Sequence, residues 1–280
     1  MEGIKVSLDK VIIEYTKISM EFFNRYFVEG ICVYYGIDHI IGKYGYHYEL
    51  HIKKGHKVYL HIYYKPMYQK RSKHYPLRIK THPAYLEHFS DILERLSREA
   101  KEINFIQCDV AFDIPYSLKN VFIASNTGRN MNIYEGTRYF GKRGQSSQHG
   151  YCRVYDKKKE MEEKKKVKVA GALTRVEISY RPDPKIPISQ LVYSPPKFNK
   201  YYTCSVIKDL NGVKPEYRAI ILAIQNQHMI MGDFTRHYRN NVKQALEAQQ
   251  TVDFDALAGK HWKDIIAAPL QYAQAYAIPF

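Results

Sequence analysis

The sequence predicts an α+β protein with one dominant, largely antiparallel sheet flanked by helices, and with a helical C-terminal subdomain. Two observations support this fold class. Alternating or β-branched stretches recur through residues 1–181 and are separated by fewer, helically spaced segments, in the order βαβ(ββ)αβαβ(β)αβ. Beyond residue 200 the apolar residues recur mostly at helical spacing.

The first elements lie within residues 1–64. Period-two and β-branched patterns predict strands at 4–15, 30–35, 44–52 and 56–64. The last two form a hairpin whose turn is Lys53, Lys54 and Gly55, because the glycine can adopt a positive φ. Phe22, Phe23, Tyr26 and Phe27 recur at helical spacing, which predicts a short amphipathic helix over 19–29.

The middle of the chain alternates helices and strands. Leu86, Phe89, Ile92, Leu93 and Leu96 are spaced three or four residues apart, which predicts a helix over 84–103. The strand FIQCDVAFDI follows it directly. We then expect a short helix at 116–124, strands at 131–140 and 149–155, a charged helix at 156–167 and a strand at 173–181.

A proline-rich segment divides the chain. Residues 182–199 read PDPKIPISQLVYSPPKFN and predict an extended connector. Helical patterns follow at 214–228, 234–249 and 254–276. We therefore expect a main domain at 1–181, the connector at 182–199 and a helical subdomain at 200–280.

The charge of the chain points to a polyanionic partner. Lys and Arg total 43 against 28 Asp and Glu, so the formal net charge is +15, a field that attracts nucleic acid. An anionic membrane surface would need a basic amphipathic helix or an anchor, and the sequence shows neither. No apolar run approaches the roughly 20 residues of a membrane span. We expect a cytoplasmic protein without a membrane partner.

Cysteine and tyrosine use fit this class. The four cysteines show neither a CxxC pair nor a zinc-site spacing, so we expect them to be reduced and mostly buried. The 26 tyrosines exceed what a core of this size requires. An exposed share can stack on bases, while others serve as sheet residues.

Three strands carry ionisable groups along one side and apolar groups along the other, because side chains on a strand alternate. The polar sides are Gln107, Asp109, Ala111 and Asp113; Tyr151, Arg153 and Tyr155; and Arg175, Glu177, Ser179 and Arg181. If the strands are neighbours, these sides form one surface of carboxylates, arginines and tyrosines.

Such a surface has two interpretations. Clustered carboxylates repel one another unless a cation binds, and Mg²⁺ or Mn²⁺ prefers oxygen ligands and would polarise a phosphodiester. Tyr155, beside Arg153 and Lys157, would then be a nucleophile whose phenolate is stabilised by the positive field. In the other interpretation the carboxylates are solvated or paired with arginines, and Tyr155 is an ordinary sheet residue.

The run KKKEMEEKKKVK that follows Tyr155 predicts an exposed helix with mixed i,i+4 charge pairs. Lys157 and Lys158 at its start would face DNA lying over Tyr155. In the C-terminal region, Arg236, Arg239 and Lys243 share one helical face and can contact phosphates, or the helix is an ordinary solvated one.

The segments CDVAFD, TRYFGKRGQSSQHGYCRVYDKKKE and LTRVEISYR, within about residues 100–181, carry a resemblance to a known family. In order and spacing they closely resemble the motifs of the Rep_trans replication initiators of Gram-positive rolling-circle plasmids, which are related to MobT-like relaxases. Those motifs are an Asp-containing strand, a YFG/YIGSR-like segment, an RIYNKKxE segment and an RxE strand.

The resemblance implies a Rep/relaxase-like fold and a metal-dependent DNA nickase and strand transferase. Tyr155 would attack a phosphodiester at the double-strand origin and become joined to the 5′ phosphate, leaving a 3′ hydroxyl primer, with Arg153 as the adjacent basic residue. The implied ligands of Mg²⁺ or Mn²⁺ are Asp109, Glu177 and Asp113. We expect Arg143, Arg175 and the basic residues named above to contact DNA.

The sequence departs from the family pattern at Asp156, where asparagine is frequent, and at Lys142, where serine is common. We find no strand with a His-hydrophobe-His pair, since His149 and His261 are isolated, and this favours carboxylate ligation of the metal. His149 is close enough to Tyr155 in sequence to assist it, although a lone histidine is usually a surface or core residue.

The expected partners are double-stranded plasmid origin DNA, a second copy of the chain and a host helicase. Two alternatives stay open. A relaxase that nicks the transfer origin of a conjugative element would use the same residues and chemistry. A non-catalytic DNA-binding regulator would need the basic residues but not carboxylates clustered beside a phosphate.

Overall fold

The computed structural model describes residues 3–35, 40–41, 45–141, 148–226 and 228–274. The chain forms two compact units. The first consists of Met1–Ser7, Val110–Tyr180 and Pro195–His261, and the second of Leu8–Asp109, Arg181–Ser194 and Trp262–Phe280. The predicted domains are continuous stretches of the chain, with boundaries after residues 181 and 199. Each observed unit instead combines three separate stretches. The functional division of the chain stays a prediction.

The described chain contains strands of two to fifteen residues. They are β1 Lys5–Ser19, β2 Ile40–Ile41, β3 Tyr46–Lys54, β4 Lys57–Pro66, β5 His74–Thr81, β6 Ile103–Ile114, β7 Val121–Ser125, β8 Met131–Tyr134, β9 Thr137–Phe140, β10 Cys152–Asp156, β11 Thr174–Tyr180, β12 Ile186–Pro187, β13 Tyr202–Val206 and β14 Gln250–Thr251.

Short helices follow β1 near the N-terminus, single helices separate strands in the middle of the chain, and the longer helices are most frequent in the C-terminal region. The α-helices are α1 Met20–Phe22, α2 Val33–Tyr35, α3 Ser90–Glu99, α4 Lys157–Lys165, α5 Pro215–Gln225, α6 Arg236–Glu247, α7 Phe254–Ile265 and α8 Ala267–Gln274. A π-helix spans Phe23–Cys32, and 3₁₀ turns span Pro83–Tyr85, Glu87–Phe89, Leu118–Asn120, Ile188–Tyr193 and Met231–Asp233.

The second unit is built on an antiparallel sheet in the order β2-β3-β4-β5-β1-β6, with β12 also paired to β6. One side of its central strands is buried and apolar, as at Leu50, Ile62 and Ile79. Helix α3 packs against α8, and the Ser97 hydroxyl donates a hydrogen bond to the Ala273 carbonyl over 3.0 Å. Apolar alternation on the strands and the helical stripe of α3 supply the core of this unit.

The first unit contains two groups of strands. Residues from Val110 onward in β6 lie beside β11, and the order continues β11-β10-β9-β8. A separate sheet has the order β14-β13-β7. Helices α5 and α6 pack near β7 in an apolar cluster that includes Phe122, Ile221 and Leu246. This cluster packs α5 and α6 against the β14-β13-β7 sheet.

The structure confirms the predicted fold class, an α+β protein with a large antiparallel sheet flanked by helices and with helices in the C-terminal region. It also confirms the hairpin and the positive φ of Gly55, +60°, although Lys53 and Lys54 still belong to β3 and the turn is Gly55 and His56. The four cysteines are free and buried, as expected. None of the helices in the described ranges combines the length and the apolar character that are needed to cross a membrane.

Three element predictions are wrong. The segment 131–140, expected to be one strand, is a hairpin of β8 and β9. The segment 30–35 is helical rather than a strand, since the π-helix continues to Cys32 and α2 follows it. The segment 116–124 forms the 3₁₀ turn Leu118–Asn120 and then β7, which is buried along its whole length and pairs with β13. The strands β5 and β13 have no counterpart among the predicted elements.

Candidate functional site

The candidate site lies on the neighbouring strands β10 and β11 of the first unit. Their antiparallel register pairs Arg153 with Glu177 and Tyr155 with Arg175. Side chains at paired positions share a face, so the predicted tyrosine, arginines and glutamate lie on the same side of the sheet. The strand ends at Asp156, whose carboxylate accepts a hydrogen bond from the Lys159 backbone N–H over 2.9 Å and caps helix α4.

Glu177 is the centre of this group and is 3% exposed. The Tyr155 hydroxyl donates a hydrogen bond to Glu177 Oε1 over 2.6 Å. Arg153 donates to Glu177 Oε2, and Arg175 Nη1 lies 4.0 Å from Oε1. A single buried carboxylate therefore holds the phenol while two guanidinium groups offset its charge.

Burial raises the pKa of Tyr155 well above its usual range, and the negative charge of Glu177 and the hydrogen bond to it raise this pKa further. Arg175 acts in the opposite direction but is outweighed. These effects oppose the expected stabilisation of a Tyr155 phenolate by the positive field, which stays a prediction. The phenol stays protonated and can react as a nucleophile only if a base accepts its proton.

Asp113 forms a two-pronged ion pair with Arg175. The Nε and Nη2 atoms of Arg175 each lie 2.6 Å from an oxygen of Asp113. This paired geometry is the strong form of an arginine–carboxylate contact and fixes the plane of the guanidinium group. Arg175 thus connects Asp113 with Glu177, and both of these carboxylates belong to the first unit.

Asp109 belongs to the second unit and is 4% exposed. Its Oδ2 lies 2.8 Å from Lys10 Nζ, and Gln107 Nε2 is 3.5 Å from its Oδ1. Each of the three carboxylates predicted to bind a metal therefore has a basic side chain as ion-pair partner, and a divalent cation would compete with that partner. The predicted set of Asp109, Glu177 and Asp113 stays a prediction.

The two lysines at the start of α4 have different environments. Lys157 is 4% exposed, and its Nζ lies 2.5 Å from Glu160 Oε2 and 5.7 Å from the centre of the Tyr155 ring. Lys158 is partly exposed, and its Nζ lies 3.9 Å from Glu162 Oε1. Lys157 thus supports the tyrosine ring, while Lys158 is the better placed to reach a ligand in solvent. Arg143 and Lys142 lie outside the described residues.

Helix α6 places its basic residues around a cavity of about 370 Å³ in the first unit. Arg236, Arg239 and Lys243 line this cavity together with Asn126 and Thr127. The positive charges of the helix and the polar atoms of the opposite turn suit a phosphate group. Val242 and Leu246, three and seven residues after Arg239, are buried, so the basic residues border the packed side of the helix.

A group of possible metal ligands in the second unit was not predicted from the sequence. Among the described ranges, Glu49, His51 and His61 form a group of possible metal ligands whose ligand atoms all lie within 4.8 Å of one another. His149, by contrast, packs edge-on against the rings of Tyr180 and Tyr201. The signal that was overlooked is the E-x-H spacing in β3 together with the histidine on the paired strand β4.

No family model and no curated protein sequence matches the chain. Among solved structures, a rolling-circle replication initiator protein from Geobacillus stearothermophilus is similar to this chain, with a TM-score of 0.40 and 16% sequence identity over 88% of this chain and 97% of that one.

Proposed function

We propose that this chain is a site-specific DNA nickase and strand transferase that initiates rolling-circle replication at a plasmid double-strand origin. The observation that carries the proposal is the hydrogen bond from the Tyr155 hydroxyl to the buried Glu177 carboxylate, with Arg153 on the second carboxylate oxygen. A nucleophile, a base and cations for a phosphate group thus lie on one sheet face. The motif resemblance at the same residues supports the same chemistry.

The reaction follows from these groups. Glu177 accepts the phenolic proton as the Tyr155 oxygen attacks the phosphorus atom of the scissile phosphodiester. The bond between phosphorus and the 3′ oxygen breaks, and that oxygen takes up a proton to become the 3′ hydroxyl primer. Arg153 and Arg175 offset the charge that develops on the phosphoryl oxygens. Attack by a 3′ hydroxyl on the phosphotyrosine reverses these steps and rejoins the strand without ATP.

A divalent ion, Mg²⁺ or Mn²⁺, is part of the proposal through Asp109, Glu177 and Asp113. Such an ion would polarise the phosphodiester. Because all three carboxylates have basic partners, the steps above are assigned to the side chains alone.

DNA binding is proposed for Lys158, Arg143, Arg175 and the basic face of α6. Residues 200–280 would help to bind the origin duplex and contribute to contacts with a second copy of the chain. A host helicase would then unwind the nicked duplex. These assignments rest on the charge of the chain, on the cavity lined by α6 and on the motif resemblance.

A relaxase acting at a transfer origin is the second candidate, since it would use the same tyrosine and the same covalent intermediate. The choice between the two depends on which origin is cut. A non-catalytic regulator is less well supported, because binding alone does not require a tyrosine hydrogen-bonded to a buried carboxylate beside two arginines.

The test is cleavage of supercoiled plasmids that carry either a candidate replication origin or a candidate transfer origin, with Mg²⁺ or with EDTA. Wild-type protein should produce a nick and a covalent adduct in which the peptide containing Tyr155 carries the 5′ phosphate. Tyr155→Phe should abolish both products and leave DNA affinity nearly unchanged, because only the hydroxyl is removed. Denaturing gels and peptide mapping detect the products.

Tyr151→Phe is the matched control, since it removes a phenol from the same strand region and should still nick. Nicking by Tyr155→Phe at the wild-type rate would move the nucleophile elsewhere, first to Tyr151. Tight binding to both plasmids without any nick by the wild-type protein would favour the regulator.

A further inference from the structure

The strands β3 and β4 bring three metal-ligand side chains onto one face of the second unit. Glu49 and His51 are two residues apart on β3 and therefore point to the same side. His61 lies directly opposite His51 on β4. The rings of the two histidines are 4.5 Å apart, centre to centre, and nearly perpendicular.

A β-bulge creates this pairing. The register runs from His51 opposite His61 to Ile52 opposite Leu60, and then shifts so that Lys53 lies opposite Val58, which leaves Tyr59 as the extra residue. Without the shift, the pairing of Lys54 with Lys57 would continue to place His51 opposite Leu60, whose side chain is in the core. Bulges are a recognised way of redirecting side chains at functional sites.

The environment of the Glu49 carboxylate indicates that a cation would complete this group. Glu49 is 2% exposed, and its Oε1 lies 2.7 Å from His51 Nε2. Its Oε2 is buried, and none of the side chains or backbone groups in the described ranges forms a hydrogen bond with it. A buried carboxylate oxygen without a partner is costly, and such an atom in a native structure requires an explanation. A cation held between the carboxylate and the imidazoles would supply the missing partner.

We propose that Glu49, His51 and His61 bind one divalent transition-metal ion of the Zn²⁺ class. Two imidazoles and a carboxylate suit Zn²⁺ and its neighbours in the first row, whereas Mg²⁺ prefers oxygen ligands alone. Three protein ligands leave one position of a tetrahedral site open to water or an anion. This site goes beyond the proposed nicking function and does not depend on it.

The surroundings of His61 support a metal ligand. Its Nδ1 lies 3.4 Å from the Tyr63 hydroxyl, a contact of the kind that orients imidazole ligands.

The experiment uses Co²⁺ as a spectroscopic probe on the full chain. With excess Mg²⁺ present to fill the all-oxygen site of the nicking proposal, equilibrium dialysis should give one Co²⁺ per chain, with visible absorption bands typical of a tetrahedral site. Zn²⁺ should displace the probe, and excess Mg²⁺ should not. His51→Ala and Glu49→Gln should each weaken Co²⁺ binding about 100-fold or more, because even the loss of a residue behind a ligand costs up to that factor.

His74→Ala is the matched control, since it removes an exposed histidine from another strand of the same unit and should bind Co²⁺ as the wild type does. Tyr155→Phe should also bind normally, so a failure of the nicking proposal is distinguishable from a failure here. Unchanged affinity in both ligand variants would overturn the proposal. If those variants do not fold, Zn²⁺ must still raise the unfolding temperature of the wild type and of His74→Ala, and no rise would equally overturn it.

Discussion

At the scale of single residues, the protonation of Tyr155 decides how the proposed nicking site can work. Burial and Glu177 keep the phenol protonated, so the site depends on transfer of its proton rather than on a preformed phenolate. The acceptor is already in place, because Glu177 Oε1 lies 2.6 Å from the hydroxyl. Glu177 therefore has two effects on Tyr155: it raises the pKa of the phenol and it offers a place for the proton.

Changing Glu177 to Gln separates these effects. The substitution removes the negative charge, so the pKa of Tyr155 should fall while burial keeps it above the usual value. Nicking should nevertheless slow by about 10²- to 10⁴-fold, the usual contribution of a general base. Absorbance titration of the phenolate, taken as the difference from Tyr155→Phe, measures the pKa, and single-turnover cleavage measures the rate.

Glu162→Gln is the control, because it removes a more exposed carboxylate that pairs with Lys158 on α4 and should change neither quantity. Wild-type cleavage rates in Glu177→Gln would show that another group accepts the proton. Faster cleavage would show that lowering the pKa of the phenol matters more than the base.

The residue pattern predicted part of this site. Alternation correctly placed Tyr155 with Arg153 on one side of β10 and Glu177 with Arg175 on one side of β11, because that depends only on the pleat. Pairing of the carboxylates with arginines was one of the two interpretations, but the particular partners could not be predicted, since they require the register between strands. Asp113 with Arg175 and Asp109 with Lys10 are examples of partners that are far apart in sequence.

At the scale of elements, periodicity was reliable where local pattern and tertiary packing agree. Strand β6 lies where its sequence predicts, and α3 forms at Ser90–Glu99 within the predicted 84–103, with 3₁₀ turns before it. It failed for β7, because the short apolar run VFIAS is buried on both faces and has no period of its own. The partner strand β13 and the sheet between them are set by contacts that a local pattern cannot reveal.

Helix α6 is the element whose exposed face should bind DNA. Replacing Arg236, Arg239 and Lys243 singly by alanine should weaken binding similarly for all duplex sequences, since phosphate contacts carry little sequence information. Log affinity falls with log salt, and each change should make this fall less steep by about 0.9. Fluorescence anisotropy with a specific and a random duplex measures both values.

Lys208→Ala is the control, because it removes an exposed cation of the same unit that does not line the α6 cavity. An equal loss of affinity in this variant would mean that the effect is one of net charge alone. A loss confined to one duplex sequence would mean that α6 reads bases rather than phosphates.

At the scale of the whole molecule, the attraction of DNA by net charge and the proposed cleavage reaction depend on different residues. The net charge of +15 comes from residues spread along the entire chain, whereas the proposed reaction depends on a few side chains of the first unit. Long-range attraction of a polyanion does not require the catalytic geometry. Binding to random DNA should therefore be strong, dependent on salt and indifferent to the loss of Tyr155.

The salt dependence of wild-type binding tests this separation. If six to ten phosphates are contacted, affinity for a random duplex should fall by about 10³- to 10⁵-fold between roughly 50 and 200 mM salt, because each contact releases counterions. Tyr155→Phe should follow the same line, since its charge is unchanged. A flat salt dependence would show that the positive charge does not carry DNA binding. A shallower slope for Tyr155→Phe would show that the reactive tyrosine and the electrostatic surface act as one unit.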